Sequence, residues 1–248
     1  MIGCTCDVCR STDPRDKRLR PSIYVDVHDG AKILVDTSTD LRQQALTHNL
    51  TRIDAVLFTH GHADHVMGLD EMRGFNYLQD ATIPCYANRA TWESVKKTFY
   101  YVFDGKSREG GGIPRLEAHE IDGPLTVAGV CVVPVPLLHG RMPILGFRFG
   151  SFAYLTDCSA IPEESWTLVQ GVETLVIDAL RDRPHTTHFT VAEALEAVER
   201  IAPRQAYFTH MNHELGYAET SARLPAGVGL AYDGLVVDIV VDIEVDLS

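Results

Sequence analysis

The stretch Thr59-His60-Gly61-His62-Ala63-Asp64-His65 sets three imidazoles and a carboxylate directly after the apolar run Ile53-Asp54-Ala55-Val56-Leu57-Phe58. Imidazole and carboxylate are ligands of divalent metals. Alternating histidines at a strand end project to one side, while Asp64 and His65, past the turn, can reach a second position. Three further donors each follow an extended apolar run: His139 after Val132-Val133-Pro134-Val135-Pro136-Leu137-Leu138, Asp157 after Phe152-Ala153-Tyr154-Leu155-Thr156, and His210 after Gln205-Ala206-Tyr207-Phe208-Thr209. Ligands gathered from the carboxyl ends of several strands are what a binuclear site at a sheet edge requires. A second constellation is thiol-based. Cys4, Cys6 and Cys9 form a C-x-C-x-x-C cluster that calls for a metal, with His213 available as the fourth ligand of a tetrahedral structural Zn²⁺. A redox dithiol or disulfide is the competing use, but it would leave an odd thiol.

Positioning these residues requires strands and helices in alternation. Apolar runs at about 22–28, 32–36, 53–59, 83–86, 125–138, 146–156, 174–178, 205–209 and 235–246 alternate with helical patterns near 64–75, 90–101, 162–168 and 190–202. Thr190 and Glu193 make a capping box at the start of the last helix, which fixes His188 just before its amino end. The 248 residues show no linker, so the expectation is one domain over 1–248, with a structural-zinc segment at about 4–9. A formal charge of −12 and the absence of a basic stripe speak against a long nucleic-acid partner. No window is long and apolar enough for a transmembrane helix, and the start lacks a signal-peptide pattern, so a cytoplasmic location without a membrane partner is expected. Lys106 and Arg108 lie in a Gly-rich loop that could meet a phosphate, although a bland surface loop is the competing reading. Phe99, Tyr100, Tyr101 and Phe103 are candidates for an aromatic approach to that loop or for a homodimer contact. Asp70, Glu71 and Arg73 could pair or simply solvate a helix.

The H-x-H-x-D-H string, followed in order by His139, Asp157 and His210, resembles the metallo-β-lactamase superfamily. That resemblance implies a mixed α/β (α+β) chain folded as a four-layer αββα sandwich. It also implies two divalent metal ions, Zn or Mn, with His60, His62 and His139 on one, Asp64, His65 and His210 on the other, and Asp157 bridging. An oxygen bridge suits hydrolysis, whereas the true β-lactamases commonly offer a thiolate near this position; Cys158, next door, reads as a buried small residue. Asp36 resembles the superfamily's early aspartate that orients a metal-binding histidine, and could equally be a turn residue. The Cys triad with His213 is similar to the PhnP type, phosphoribosyl cyclic phosphodiesterases of phosphonate metabolism. Relatives usually carry a strand and a Gly-Thr-Gly turn before the triad, so the first strand is expected to be missing or truncated. The implied reaction is attack of a metal-bridging hydroxide on a small cyclic phosphate. Asp64 would belong to the catalytic set, and His188, with His185 as its rival for substrate contact, would serve the leaving group. Two alternatives stand beside it: a glyoxalase II-like thioester or lactone hydrolase, and a catalytically silent metal sensor.

Overall fold

Ala55-Val56-Leu57 expose no side chain, which is the pattern of a strand covered on both faces of a parallel sheet. In the computed structural model, which describes residues 1–106 and 112–240, it is the middle strand of a five-stranded sheet. The order is β1 (Ile23–Asp26), β2 (Lys32–Val35), β3 (Ala55–Leu57), β4 (Ile83–Ala87) and β5 (Leu116–Glu120). The first pair is an antiparallel hairpin; β2 to β5 run parallel. Parallel neighbours need crossovers, supplied by helices at Leu41–His48, Ala63–Val66 with Met72–Gln79, and Arg89–Thr98 with Tyr100–Phe103. Asn88 caps the Arg89–Thr98 helix by accepting from the Thr91 N–H, and Trp92 beneath it donates to the His119 carbonyl. Leu34, Val56, Phe58, Cys85, Trp92 and Val95 form the core under these helices.

That sheet lies in the unit Arg20–Cys131, which also holds β6 (Leu125–Val127); Met1–Leu19 and the described residues from Val132 onward form a second unit. Its strands are β7 (Val130–His139), β8 (Met142–Phe149), β9 (Phe152–Leu155), β10 (Thr174–Asp178), β11 (Gln205–Thr209) and β12 (Val228–Leu230), hydrogen-bonded in the order β12-β11-β10-β9-β8-β7. Strands β7, β8 and β9 form an antiparallel meander, while β9 to β12 are mutually parallel. Two antiparallel steps make β7 run the same way as β9. The carboxyl ends of β7, β9, β10 and β11 therefore point to one edge, where His139, Asp157, Asp178 and His210 stand. The helix Val191–Ile201 carries the expected capping box and buries Ala194 and Ala197.

The mixed α/β class with two sheets is as expected; eight α-helices lie among the described residues. Two apolar runs needed correction. The run 125–138 breaks at Ala128 and Gly129, and 146–156 breaks at Gly150, all at positive φ. Local turn conformation there overrides continuous apolar character, giving two strands each time. The described part of the 235–246 run, up to residue 240, forms no strand, and 241–246 lies outside the described residues.

Gly68 shows how tightly the metal-motif region is packed. A Cβ there would stand 2.1 Å from the Ser38 carbonyl oxygen and 2.8 Å from Leu41 Cβ. Gly68→Ala is expected to cost about 3 kcal/mol, because backbone must move to admit the methyl group. Urea denaturation measures it; an unchanged midpoint would contradict the packing argument.

Candidate functional site

In the first unit the site is built around Asp36, which follows β2 with φ of 64° and is fully buried. Few non-glycine residues adopt that conformation, and those that do are held by their surroundings. Here the Asp36 carboxylate accepts from the Thr59 N–H and the Thr59 hydroxyl, each at 2.8 Å, and from His65 Nδ1 at 2.7 Å. Burial pushes this carboxyl above its ordinary range, against the opposing pull of His65 and Thr59. The Thr59 hydroxyl has one proton and gives it to Asp36, so at 3.0 Å it accepts from His60 Nδ1. Asp36 thereby sets the tautomer of His65 directly and of His60 through Thr59, which makes Nε2 of both rings the atom that could ligate a metal. His62 lies 4.6 Å and His65 4.3 Å from His60, between ring centres, and the Asp64 carboxylate is 4.0 Å from His65 Nε2. Asp36 thus turns the chain after β2 and holds the His65 ring.

In the second unit the edge formed by β7, β9, β10 and β11 gathers the rest. His139 donates from Nδ1 to the Asp157 carbonyl at 2.7 Å, and burial lowers its pKa, which favours the neutral ring a metal needs. Asp157 and His210, like Asp36, follow strands at positive φ, 55° and 58°. Asp157 Oδ1 is 3.1 Å from His210 Nε2. His188 joins them: one donor atom from each of Asp157, His188 and His210 falls within 4.8 Å of the others. Its Nδ1 is held at 2.8 Å by Asp178, which is fully buried. Asp178 stands outside the donors that the sequence singles out, although it too is a carboxylate at the carboxyl end of a strand. His185 packs at 5.1 Å from His188 and hydrogen-bonds Thr187, its pKa lowered by burial and by His188 and Arg181. Cys158 is buried with its thiol pushed well up and its sulfur on the Leu155 carbonyl, as expected of a small core residue.

The thiol cluster also assembles within this unit. Cys4, Cys6, Cys9 and His213 bring their donor atoms within 4.8 Å of one another, with His213 Nδ1 at 3.4 Å from the sulfurs of both Cys4 and Cys6. Three sulfurs and one imidazole this close together fit the ligand set of a tetrahedral Zn²⁺. Next to it, Glu214 accepts two bonds from Arg183, at 2.9 and 2.7 Å, and one from Asn212, which hold its carboxyl down at about 2. Glu214 thus fastens the His185 and His188 loop to the segment between His210 and His213.

Among the remaining readings, Asp70 pairs with Arg73 at 3.4 Å and accepts from the Tyr101 hydroxyl. Phe99, Tyr101 and Phe103 pack in the unit's own core, Phe103 on Trp92, while Tyr100 is exposed. Lys106 is exposed, and Arg108 lies outside the described residues. No described helix is long and apolar enough to cross a membrane. The His and Asp donors, with Nδ1 of His60, His65, His139 and His188 held by hydrogen bonds, fit divalent metal ions.

Comparison with known proteins agrees with this chemistry. Residues 31–211 match the Beta-lactamase superfamily domain. A crystal structure described as a new diphosphatase from the PhnP family has 42% sequence identity and a TM-score of 0.90, covering 98% of this chain and 93% of that one. The octanoyltransferase of Porphyromonas gingivalis is 37% identical over 94% of this chain but only 48% of its own length, so the chain spans about half of that relative. Zinc-bound PqqB from Methylobacterium extorquens shares the fold, at 21% identity and a TM-score of 0.71 over 96% of this chain and 95% of that one. With a domain match across most of its residues and a PhnP-family structure similar along nearly its whole length, the chain belongs to the β-lactamase superfamily and is a metal-dependent hydrolase of metallo-β-lactamase fold resembling PhnP.

Proposed function

We propose that the protein is a two-metal phosphodiesterase acting on a small phosphorylated substrate such as a cyclic phosphate, with His60, His62, Asp64, His65, His139, Asp157 and His210 as its metal ligands. The observation that carries this reading is His188, held by buried Asp178 beside Asp157 and His210. Divalent metals, when bound, offset phosphoryl charge and make water acidic enough to attack near neutral pH. The protein's own part is then proton management. Asp178 fixes the His188 ring with Nδ1–H inward, so Nε2 is the atom that can hand a proton to the leaving oxygen, and the carboxylate offsets the charge of the doubly protonated ring. The diphosphatase name of the PhnP-family relative brings phosphoanhydrides into the same substrate class. A second Zn²⁺, structural, is proposed at Cys4, Cys6, Cys9 and His213.

Turnover of bis(p-nitrophenyl) phosphate by Mn²⁺- or Zn²⁺-loaded protein tests the reading. His188→Ala is expected to lower kcat about 100-fold with metal content unchanged, the size of a lost general acid. Loaded wild type that leaves the diester intact would refute the phosphodiesterase reading. The octanoyltransferase relative supports a second one, hydrolysis of an acyl thioester by the same ligands. Release of thiol from an octanoyl thioester, with the diester inert, would select it.

A further inference from the structure

We propose that Arg20 is a phosphate-recognition residue, which takes an anionic oxygen of the substrate beside Asp64. The proposal rests on the phosphodiesterase reading above and adds a specificity-determining residue to it. Arg20 Nη1 lies 3.3 Å from Asp64 Oδ2, and the arginine side chain is 57% exposed. An ion pair so open to solvent contributes little to stability. Yet the Arg20 backbone is pinned on both sides: its N–H donates to Asp40 at 2.7 Å, and its carbonyl accepts from Gln44 at 2.8 Å. Asp40 and Gln44 are joined through Ser38, two residues after Asp36, and Thr39 donates to the Ala63 carbonyl within the metal motif. The scaffold that orients His65 and His60 therefore also fixes where Arg20 stands.

The guanidinium spends one terminal nitrogen on Asp64. Among the described residues, Nε and Nη2 make no hydrogen bond, so one edge of the fork remains open. That edge matches two oxygens of a phosphoryl group in geometry and charge. A carboxylate that serves as a metal ligand shares its charge with the ion, which leaves the guanidinium to pair with an arriving anion. The protein carries a formal charge of −12, so a phosphate approaching this aspartate-bearing motif gains from a local cation. An uncharged acyl substrate would gain nothing from the same residue.

Calorimetric titration of inorganic phosphate into the full-length Mn²⁺-loaded protein decides the matter, with metal content measured on each sample. Arg20→Ala is expected to weaken phosphate binding about tenfold or more while keeping its metal, as the loss of charge-assisted hydrogen bonds requires. Arg20→Lys should recover only part of the affinity, since an ammonium restores charge without the fork. Equal affinity in wild type and Arg20→Ala, no phosphate binding by wild type, or loss of metal from the alanine variant would each overturn the proposal. Hydrolysis of bis(p-nitrophenyl) phosphate is scored separately: its absence in wild type refutes the phosphodiesterase reading, while the binding data still decide the role of Arg20.

Discussion

Asp64→Ala is expected to lose phosphodiester turnover by about a thousandfold or more and to lower the bound metal. Several kcal/mol of transition-state stabilisation depend on a correctly held ion, and each 1.4 kcal/mol is about tenfold in rate. Asp64 sits in the first turn of the short helix Ala63–Val66, keeps part of its side chain in solvent, and lies 4.0 Å from His65 Nε2. Because it is not a packing residue, alanine should fold there, and the melting temperature of the metal-free variant should stay near that of metal-free wild type. Asp64→Asn makes a second probe, since it keeps the shape but removes the charge that a divalent ion needs. Loss of activity with unchanged metal-free stability would assign the effect to the metal. Full turnover in Asp64→Ala would remove this residue from the ligand set and with it the two-metal reading.

The second large effect concerns the thiol cluster. The helix Asp7–Arg10 buries none of its residues, so apolar packing does little to hold the first ten residues. Further along, the contacts are polar: Arg18 donates to the carbonyls of Asn212 and Leu215, Asp16 accepts from the Tyr217 N–H, and Arg15 stacks over the Tyr217 ring at 4.1 Å. A Zn²⁺ on Cys4, Cys6, Cys9 and His213 would close a chain loop of some two hundred residues, and cross-links over loops of that order contribute about 4 kcal/mol. Cys6→Ser, or removal of zinc by a chelator, should therefore lower Tm by about 10 °C and open the segment to trypsin at Arg10 and Lys17. Calorimetry with zinc analysis reads both changes. A Cys6→Ser protein that melts with wild type, at equal zinc content, would show that the cluster binds no structural metal.

The reach of the sequence differs from residue to residue. The strands ending at His139, Asp178 and Thr209 were legible because an apolar run followed by a polar donor is a local pattern. The same pattern gave the H-x-H-x-D-H motif, and close cysteine spacing gave the Cys triad. Elements with weak periodicity were missed, among them the helix Leu41–His48, most of whose residues stay in solvent, and the short edge strand β12. Tertiary structure alone decided which partner each ring would take. Asp36 lies 29 positions from His65, and Asp178 lies 10 from His188, yet each pair meets within 2.8 Å. Arg20 has no such neighbouring pattern; the fold carried it to Asp64, 44 positions away. A metal ligand announces itself through its type and its place at a strand end, which neighbouring residues encode. The buried acceptor that fixes its tautomer is chosen by directional contacts a few ångströms long, and those exist only once the sheet has set its strands in register.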